Sequence, residues 1–379
     1  CFGRDYIIPT PFDPRLIYVI PPAVAKAGMD TGVARRPIVD LKGYEQSLKA
    51  RMDPTASILQ GIHARAKQAQ ARMIFAEGDD PRVLRAAVAY QRAGLGKALV
   101  VGREGDVKEK LEASGLGDAV RELEIVNAAN SRHLETYKDF LYTRLQRSGF
   151  DRHDVHRLAA RDRHVFSALM LQHGHGDGLI TGVTRKSAHV LSLINHVFDA
   201  KASDGAVGVT ALLNKGRIVL IADTLVHEWP DETDLANIAI KAAGVARNLG
   251  LDPRVAFVSF STFGYPVSER ATKMHAAPKV LDAMKVDFEY EGEMTVDVAL
   301  NSDVMAQYPF CRLTGPANIL VVPARHSASI SVKLMQEMAG ATVIGPILTG
   351  VKKPIQICST NSTVNDILNM AVMAACKVG

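Results

Sequence analysis

Arg72-Met-Ile-Phe-Ala76, the turn Glu77-Gly-Asp-Asp-Pro81 and the run from Arg82 to Ala93 are the stretch that decides the fold. A short apolar segment reads as a buried strand, and the residues after the turn carry their apolar positions at helical spacing. Ala98-Leu-Val-Val101 with Gly102 repeats the strand and its turn, a helix follows near Val107 to Ala113, and Leu123-Glu-Ile-Val126 reads as a third strand. Such alternation predicts a mostly parallel sheet between helices. On its residues alone this region is scaffold.

Upstream of this stretch, a helix from Ala56 to about Ala71 leads in. Before it lie a proline-broken extended piece, Ile8 to Ile17, a short helix starting near Pro22, and a helical stretch from Tyr44 to Arg51. Those first 50 residues are too few for a core of their own, so they dock on a neighbour or serve as a linker.

Downstream, residues 133–172 read as helices interrupted at Ser148-Gly149 and rich in arginine and histidine, from His133 to His164. A solvated helix face accounts for such a run, and the histidines lack the nearby carboxylates of a metal site. Asp177-Gly-Leu-Ile-Thr-Gly-Val-Thr-Arg-Lys-Ser-Ala188 then reads as a strand, a polar loop and a helix. Backbone amides of that loop, with Arg185 and Lys186 as cations, suit a phosphate or pyrophosphate, although the glycine spacing fits no Walker or dinucleotide fingerprint.

Residues 201–344 form a second domain of strands (Val207 to Leu213, Arg217 to Ala222, Arg254 to Ser259, Asn318 to Pro323) and helices (Asp231 to Leu249, Glu269 to Met284, Ser329 to Met338). The acidic residues Glu232, Asp234, Glu289, Glu291, Glu293 and Asp297 do not pair by spacing into an acid/base set. The closing stretch, Gly345 to Asp366, reads as a ligand loop leading into a final helix, Val364 to Ala375. Pro354 starts an extended segment ending at Cys358, and Ser359, Thr360, Asn361, Ser362 and Thr363 offer hydroxyls and an amide either to an anion or to cap the helix. Both readings suit the residues equally.

The 379 residues exceed one hydrophobic core, so two domains plus an appendage are expected. A net charge of +5 with no basic tail gives no support to nucleic-acid binding and suits a small anionic ligand. The sequence has neither an apolar run that would span a bilayer nor a secretory leader pattern, so no membrane role is expected. Cys1, Cys311, Cys358 and Cys376 are scattered without C-x-x-C spacing, against a zinc site or disulfide scaffold, and a reducing cytoplasm is the expected setting.

Glu77-Gly-Asp-Asp-Pro-Arg-Val-Leu84, Asp177-Gly-Leu-Ile-Thr-Gly182, Leu235-Ala-Asn-Ile-Ala-Ile240, Pro253 to Ser261, Glu291-Gly-Glu-Met294 and Gly345-Pro-Ile-Leu-Thr-Gly350, in this order, resemble phosphate acetyltransferases. Phe2 to Ile17 and Met29 to Ile38 are similar to the end of the catalytic half of large bacterial malic enzymes. Together they resemble the C-terminal part of a hybrid malic enzyme, with the catalytic half outside the chain.

The resemblance implies an α/β fold of two αβα domains with a cleft between them, as in the isocitrate/isopropylmalate dehydrogenase type. Residues 1–54 would be the malic-enzyme tail and linker, 55–200 plus 345–379 the first domain, and 201–344 the second. It also implies coenzyme A and acetyl phosphate in the cleft, self-association through this module, and NAD(P) and a divalent metal in the other half, with no metal here. Active members close the site with Asp-Leu-Ser-Arg-Gly, against Ile357-Cys-Ser-Thr-Asn361 here: Ser359 is kept, Thr360 stands for the arginine, and Asp366 matches a later aspartate. A further family arginine falls at Ser192 and another near Leu145, beside Arg144. A threonine cannot hold a dianion bidentately, and loss of one well-placed donor costs about a hundredfold or more in turnover.

The reading that follows is a regulatory module binding acetyl-CoA, with Ser359 and Asp366 as catalytic remnants. Ser359, Thr360, Asn361 and Asp366, with Thr184, Arg185, Lys186 and Ser187 toward the phosphates, are its ligand contacts. The alternatives are a working phosphate acetyltransferase, with Arg144, Arg185 or Lys353 standing in for the lost cations, and an oligomerisation module without ligand.

Overall fold

In this computed structural model residues 16–34, 54–198, 205–214 and 216–378, with positions 36–38, 40, 41, 43, 44 and 48, are described. Cys1–Gly61 with Leu213–Ile218 make a small unit, and Ile62–Leu212 with Val219–Gly379 a large one. In the small unit the first helix, Leu16–Asp30, begins before Pro21 and Pro22 rather than after them. Each proline removes one donor, and the apolar run Leu16 to Ile20 continues the helical path through both. The segment Phe2 to Arg15 and most of Tyr44 to Arg51 lie outside the described residues.

Among the described residues eleven strands follow: β1 (Met73–Phe75), β2 (Ala98–Val101), β3 (Glu124–Val126), β4 (Gly178–Thr181), β5 (Val207–Asn214), β6 (Arg217–Ala222), β7 (Arg254–Val258), β8 (Glu289–Met294), β9 (Ile319–Val321), β10 (Thr342–Thr349) and β11 (Ile355–Ile357). Five form one sheet in the order β11-β4-β1-β2-β3, all pairs parallel, and six a second sheet in the order β10-β5-β6-β9-β7-β8. The fold is the expected one, two α/β halves.

Strand alternation divides the first sheet's side chains between two helix layers. Ile74, Ala76, Leu99, Val101, Leu179 and Ile357 pack with helices Leu134–Leu145, Arg152–Arg161, Arg163–Gln172 and Ser187–Asn195 in one apolar core. Phe75 faces the other way and meets Tyr90 of helix Pro81–Arg92 edge to face, 6.0 Å between centroids. Leu225 and Leu348 of the second half extend the first core.

The stretch Gly345 to Thr349 is strand rather than loop, because Thr342 to Thr349 pairs at the edge of the second sheet. A domain boundary at 344/345 therefore cuts a strand, and the chain crosses back to the first sheet between Gly350 and Pro354. The boundary at 200/201 lies outside the described residues. Among the described residues no helix is long and apolar enough to cross a membrane, and no three His, Cys, Asp or Glu side chains gather as a metal site.

Candidate functional site at the carboxyl ends of the first sheet

In a parallel α/β sheet, ligands sit outside the carboxyl ends of the strands where the strand order reverses. Here chain order reverses between β1 and its two neighbours β4 and β2, and the loops after β1, β4 and β11 converge there. Two glycines allow the approach. A Cβ on Gly78 would meet Val101 O at 2.8 Å, and one on Gly182, whose φ is +102°, would meet Cys358 O at 2.7 Å.

Glu77, fully buried at the end of β1, accepts from Val183 N at 2.9 Å and from Thr184 N and Oγ1 at 2.7 Å. Its carboxylate thereby fixes the loop after β4. Asp80 caps helix Pro81–Arg92 and grips Arg82 with both oxygens, at 3.1 Å to Nε and 2.9 Å to Nη2. Burial pushes the Asp80 carboxyl up, and the Arg82 guanidinium with two backbone N–H groups overcomes that and holds it below the ordinary range.

Arg82 Nη1 donates to Thr360 O at 2.8 Å and Ser362 O at 3.0 Å, and Nη2 also reaches Val183 O at 3.5 Å. A guanidinium has five N–H donors, and these contacts occupy all of them. Arg82 is thus a clamp across three loops, with nothing left over for a phosphoryl group.

The neighbouring guanidiniums are committed too. Arg163 pairs with Asp79, whose carbonyl also takes Lys110 Nζ, and Arg185 Nη1 pairs with Asp162 Oδ2 at 2.8 Å. His164 lies beneath them, fully buried; its Nδ1 meets Thr181 Oγ1 at 2.6 Å, while Nε2 and the nearby Ser167 Oγ have no partner among the described residues. Burial holds the His164 ring below its usual pKa, so it is neutral.

The two expected groups of ligand contacts come to this same end of the sheet, from adjacent strands. Ser359, Thr360 and Asn361 are exposed, as are Thr184 and Lys186, while Arg185, Ser187 and Asp366 are half-buried. Their polar atoms serve the local turn in good part. Ser362 Oγ accepts from Ser359 N at 3.0 Å, and Ser359 Oγ from Asn361 N at 3.4 Å. Asp366 closes a capping box on helix Val364–Ala375, one carboxylate oxygen accepting from Thr363 N and Oγ1 at 2.8 Å. Arg144 stands elsewhere, its Nε on His196 O at 3.0 Å. Cys358, fully buried, has its thiol pushed up by burial and is no nucleophile.

Sequence reasoning left out Glu77, Asp80, Arg82, Asp162 and Arg163, which organise this end. The available signal was Asp79-Asp80-Pro-Arg82 at a strand-to-helix turn, acid and base within one turn of a helix start. In the second half, Glu293, which no spacing singles out, is buried and accepts from Ser261 Oγ at 2.9 Å, Gly264 N at 2.8 Å and His275 Nδ1 at 2.8 Å.

This architecture defines a two-part α/β acyltransferase fold, and residues 57–375 match the phosphate acetyl/butaryl transferase family, to which the chain belongs. It is 50% identical over its whole length to an NADP-dependent malic enzyme of Rhizobium meliloti, covering 50% of that protein in its C-terminal half. A phosphate acetyltransferase of Clostridium acetobutylicum is 32% identical over 83% of this chain and 97% of its own. A phosphotransacetylase structure from Streptococcus pyogenes superposes with a TM-score of 0.79 at 25% identity, over 86% of this chain and 98% of that one. The chain spans about half the length of the malic enzymes it matches.

Proposed function

We propose that this chain is the regulatory and self-assembling module of a malic enzyme, binding acetyl-CoA as an effector and no longer transferring the acetyl group. The observation that carries the proposal is the fate of the cations around Ser359. Arg82, Arg163 and Arg185 each hold an aspartate, so with Glu77 the end of the sheet has no net positive charge from these groups to offer an acetyl phosphate dianion. Electrostatic stabilisation of the transferring group is the largest single contribution such a site makes, and Thr360 supplies none of it.

Binding asks for less than catalysis. Exposed Ser359, Thr360 and Asn361, with Thr184, Lys186 and Ser187, offer hydroxyls, an amide and one lysine to a polar ligand, and Arg185 and Asp366 lie beside them. Similarity to proteins named malic enzyme over the whole chain and to one named phosphate acetyltransferase over most of it supports a transferase fold reused for control. Phe260, Tyr265, Val267 and Phe310 of the second half, 62 to 86% exposed, support self-association. On this reading malate is decarboxylated oxidatively to pyruvate by the other half, with NAD(P) and a divalent metal there, in the cytoplasm.

An effector acts only through different affinities for two states of the assembly. Malic-enzyme kinetics of the full-length protein with and without acetyl-CoA test this directly. The expected result is a changed rate that disappears when the chain is ended near Arg51; an unchanged rate across saturating acetyl-CoA refutes the proposal.

A further inference from the structure

Along edge strand β3, away from the loops after β1, β4 and β11, a cavity of about 460 Å³ lies beside helices Leu134–Leu145 and Arg163–Gln172. Leu99, Val126 and Met170 give it an apolar wall, and the rings of His133 and His175, stacked with 4.0 Å between centroids, also line it. Neither Glu77, Arg82 and Arg185 nor Ser359, Thr360 and Asp366 line it, so this is a different place from the candidate site.

Its charges are of both signs, and two of them are unmatched. Arg72 is compensated by Asp177, which holds it at 2.9 Å from outside the cavity. Arg132 donates through Nε to His133 Nε2 at 3.0 Å, but its guanidinium meets no carboxylate among the described residues. Glu124, the one carboxylate in the lining, makes no ion pair or side-chain hydrogen bond there either, and Arg72 feels it only at longer range. His175 meets the Tyr137 hydroxyl through Nδ1; burial lowers its pKa, and His133, His173, Arg132 and Arg72 lower it further, so the ring sits in a positive field. The volume lies within the span of small-molecule sites, about 300–1,000 Å³.

A ligand carrying a single charge would take water from both Glu124 and Arg132 and compensate only one of them. A zwitterion compensates both, and discrimination of this kind rests on the charge left unpaired by the wrong ligand. We infer that this cavity is a binding site for an α-amino acid with an apolar side chain, its ammonium on Glu124, its carboxylate on Arg132 beside the two histidines, and its side chain on Leu99, Val126 and Met170. The site stands whether or not the loop after β11 binds acetyl-CoA.

L-leucine, titrated calorimetrically into the full chain, is the probe, beside 4-methylpentanoate, which lacks the ammonium, 3-methylbutylamine, which lacks the carboxylate, and glycine, which lacks the apolar body. The expected result is one leucine per chain, with each of the other three about tenfold or more weaker. Glu124→Gln weakens leucine about tenfold and leaves the affinity for 4-methylpentanoate unchanged; Arg132→Gln weakens leucine as much and leaves that for 3-methylbutylamine unchanged. Both side chains are exposed, so the melting temperature of the free protein stays where it was in each variant. Absence of heat with leucine on the wild type, leucine no tighter than either single-charge analogue, unaltered leucine affinity in the two variants, or competitive displacement of leucine by acetyl-CoA overturns the assignment.

Discussion

Two basic regions of the large unit treat their charges in opposite ways. At the carboxyl ends of β1, β4 and β11 each guanidinium is matched to an aspartate: Arg82 to Asp80, Arg163 to Asp79, Arg185 to Asp162. Beside helices Leu134–Leu145 and Ser187–Asn195 the basic residues are matched only in part: His227 is held by Asp223 at 2.7 Å, while Lys352 and Lys353 make no ion pair among the described residues. The first region uses all three of its guanidiniums as internal struts, and the second ties down His227 but not Lys352 and Lys353 among the described residues. Counting basic residues in the sequence finds both; only their partners tell a strut from a ligand contact.

The largest effect expected from breaking the struts is at Glu77. Glu77→Ala leaves Val183 N, Thr184 N and Thr184 Oγ1 without their buried acceptor, at a cost of about 3 kcal/mol or more in urea denaturation. Next comes Arg82→Met, which strands Asp80 and releases the carbonyls of Thr360 and Ser362. About 2 kcal/mol of destabilisation and faster amide exchange across 359–363 than elsewhere are expected. Uniform exchange would show that Arg82 does not hold that loop.

Two smaller effects depend on pH. Burial lowers the Lys377 pKa from 10.5 to about 8, with its ammonium on Leu348 O at 2.8 Å. The unfolded chain then binds more protons between those values, so stability rises as pH climbs from about 8 to 10.5. Lys377→Met removes that rise in melting temperature. For His227 the sign is the reverse. Its bond to Asp223 raises the folded pKa, so its stabilisation is complete below about pH 6.5 and fades as pH rises through the raised value. His227→Gln flattens the profile across that window; an unchanged profile would separate the ring from Asp223.

Much of the fold was legible because strand and helix periods differ. The β1 turn and helix, Ala98–Val101, Glu124–Val126 and the closing helix appear where the apolar pattern puts them. Gly345 to Thr349 was not, since Gly345, Pro346 and the following Gly350 read as loop even though edge pairing in the second sheet makes Gly345 to Thr349 strand. The two prolines at 21 and 22 misled in the same way, local preference yielding to a continuing helix. At the site, both polar loops were visible as ligand-type sequences, and their meeting at adjacent strand ends follows from the parallel order β11-β4-β1. The clamp was not visible, because Arg82 reaches Thr360 across 278 residues of chain and no spacing rule joins such partners.

The most direct test of the internal-strut account is release of the coenzyme A thiol from acetyl-CoA on addition of phosphate, followed with a thiol reagent at protein concentrations where acetyl-CoA binding is saturated. The account predicts bound acetyl-CoA and no phosphate-dependent release above background. Steady turnover that Ser359→Ala abolishes would contradict it.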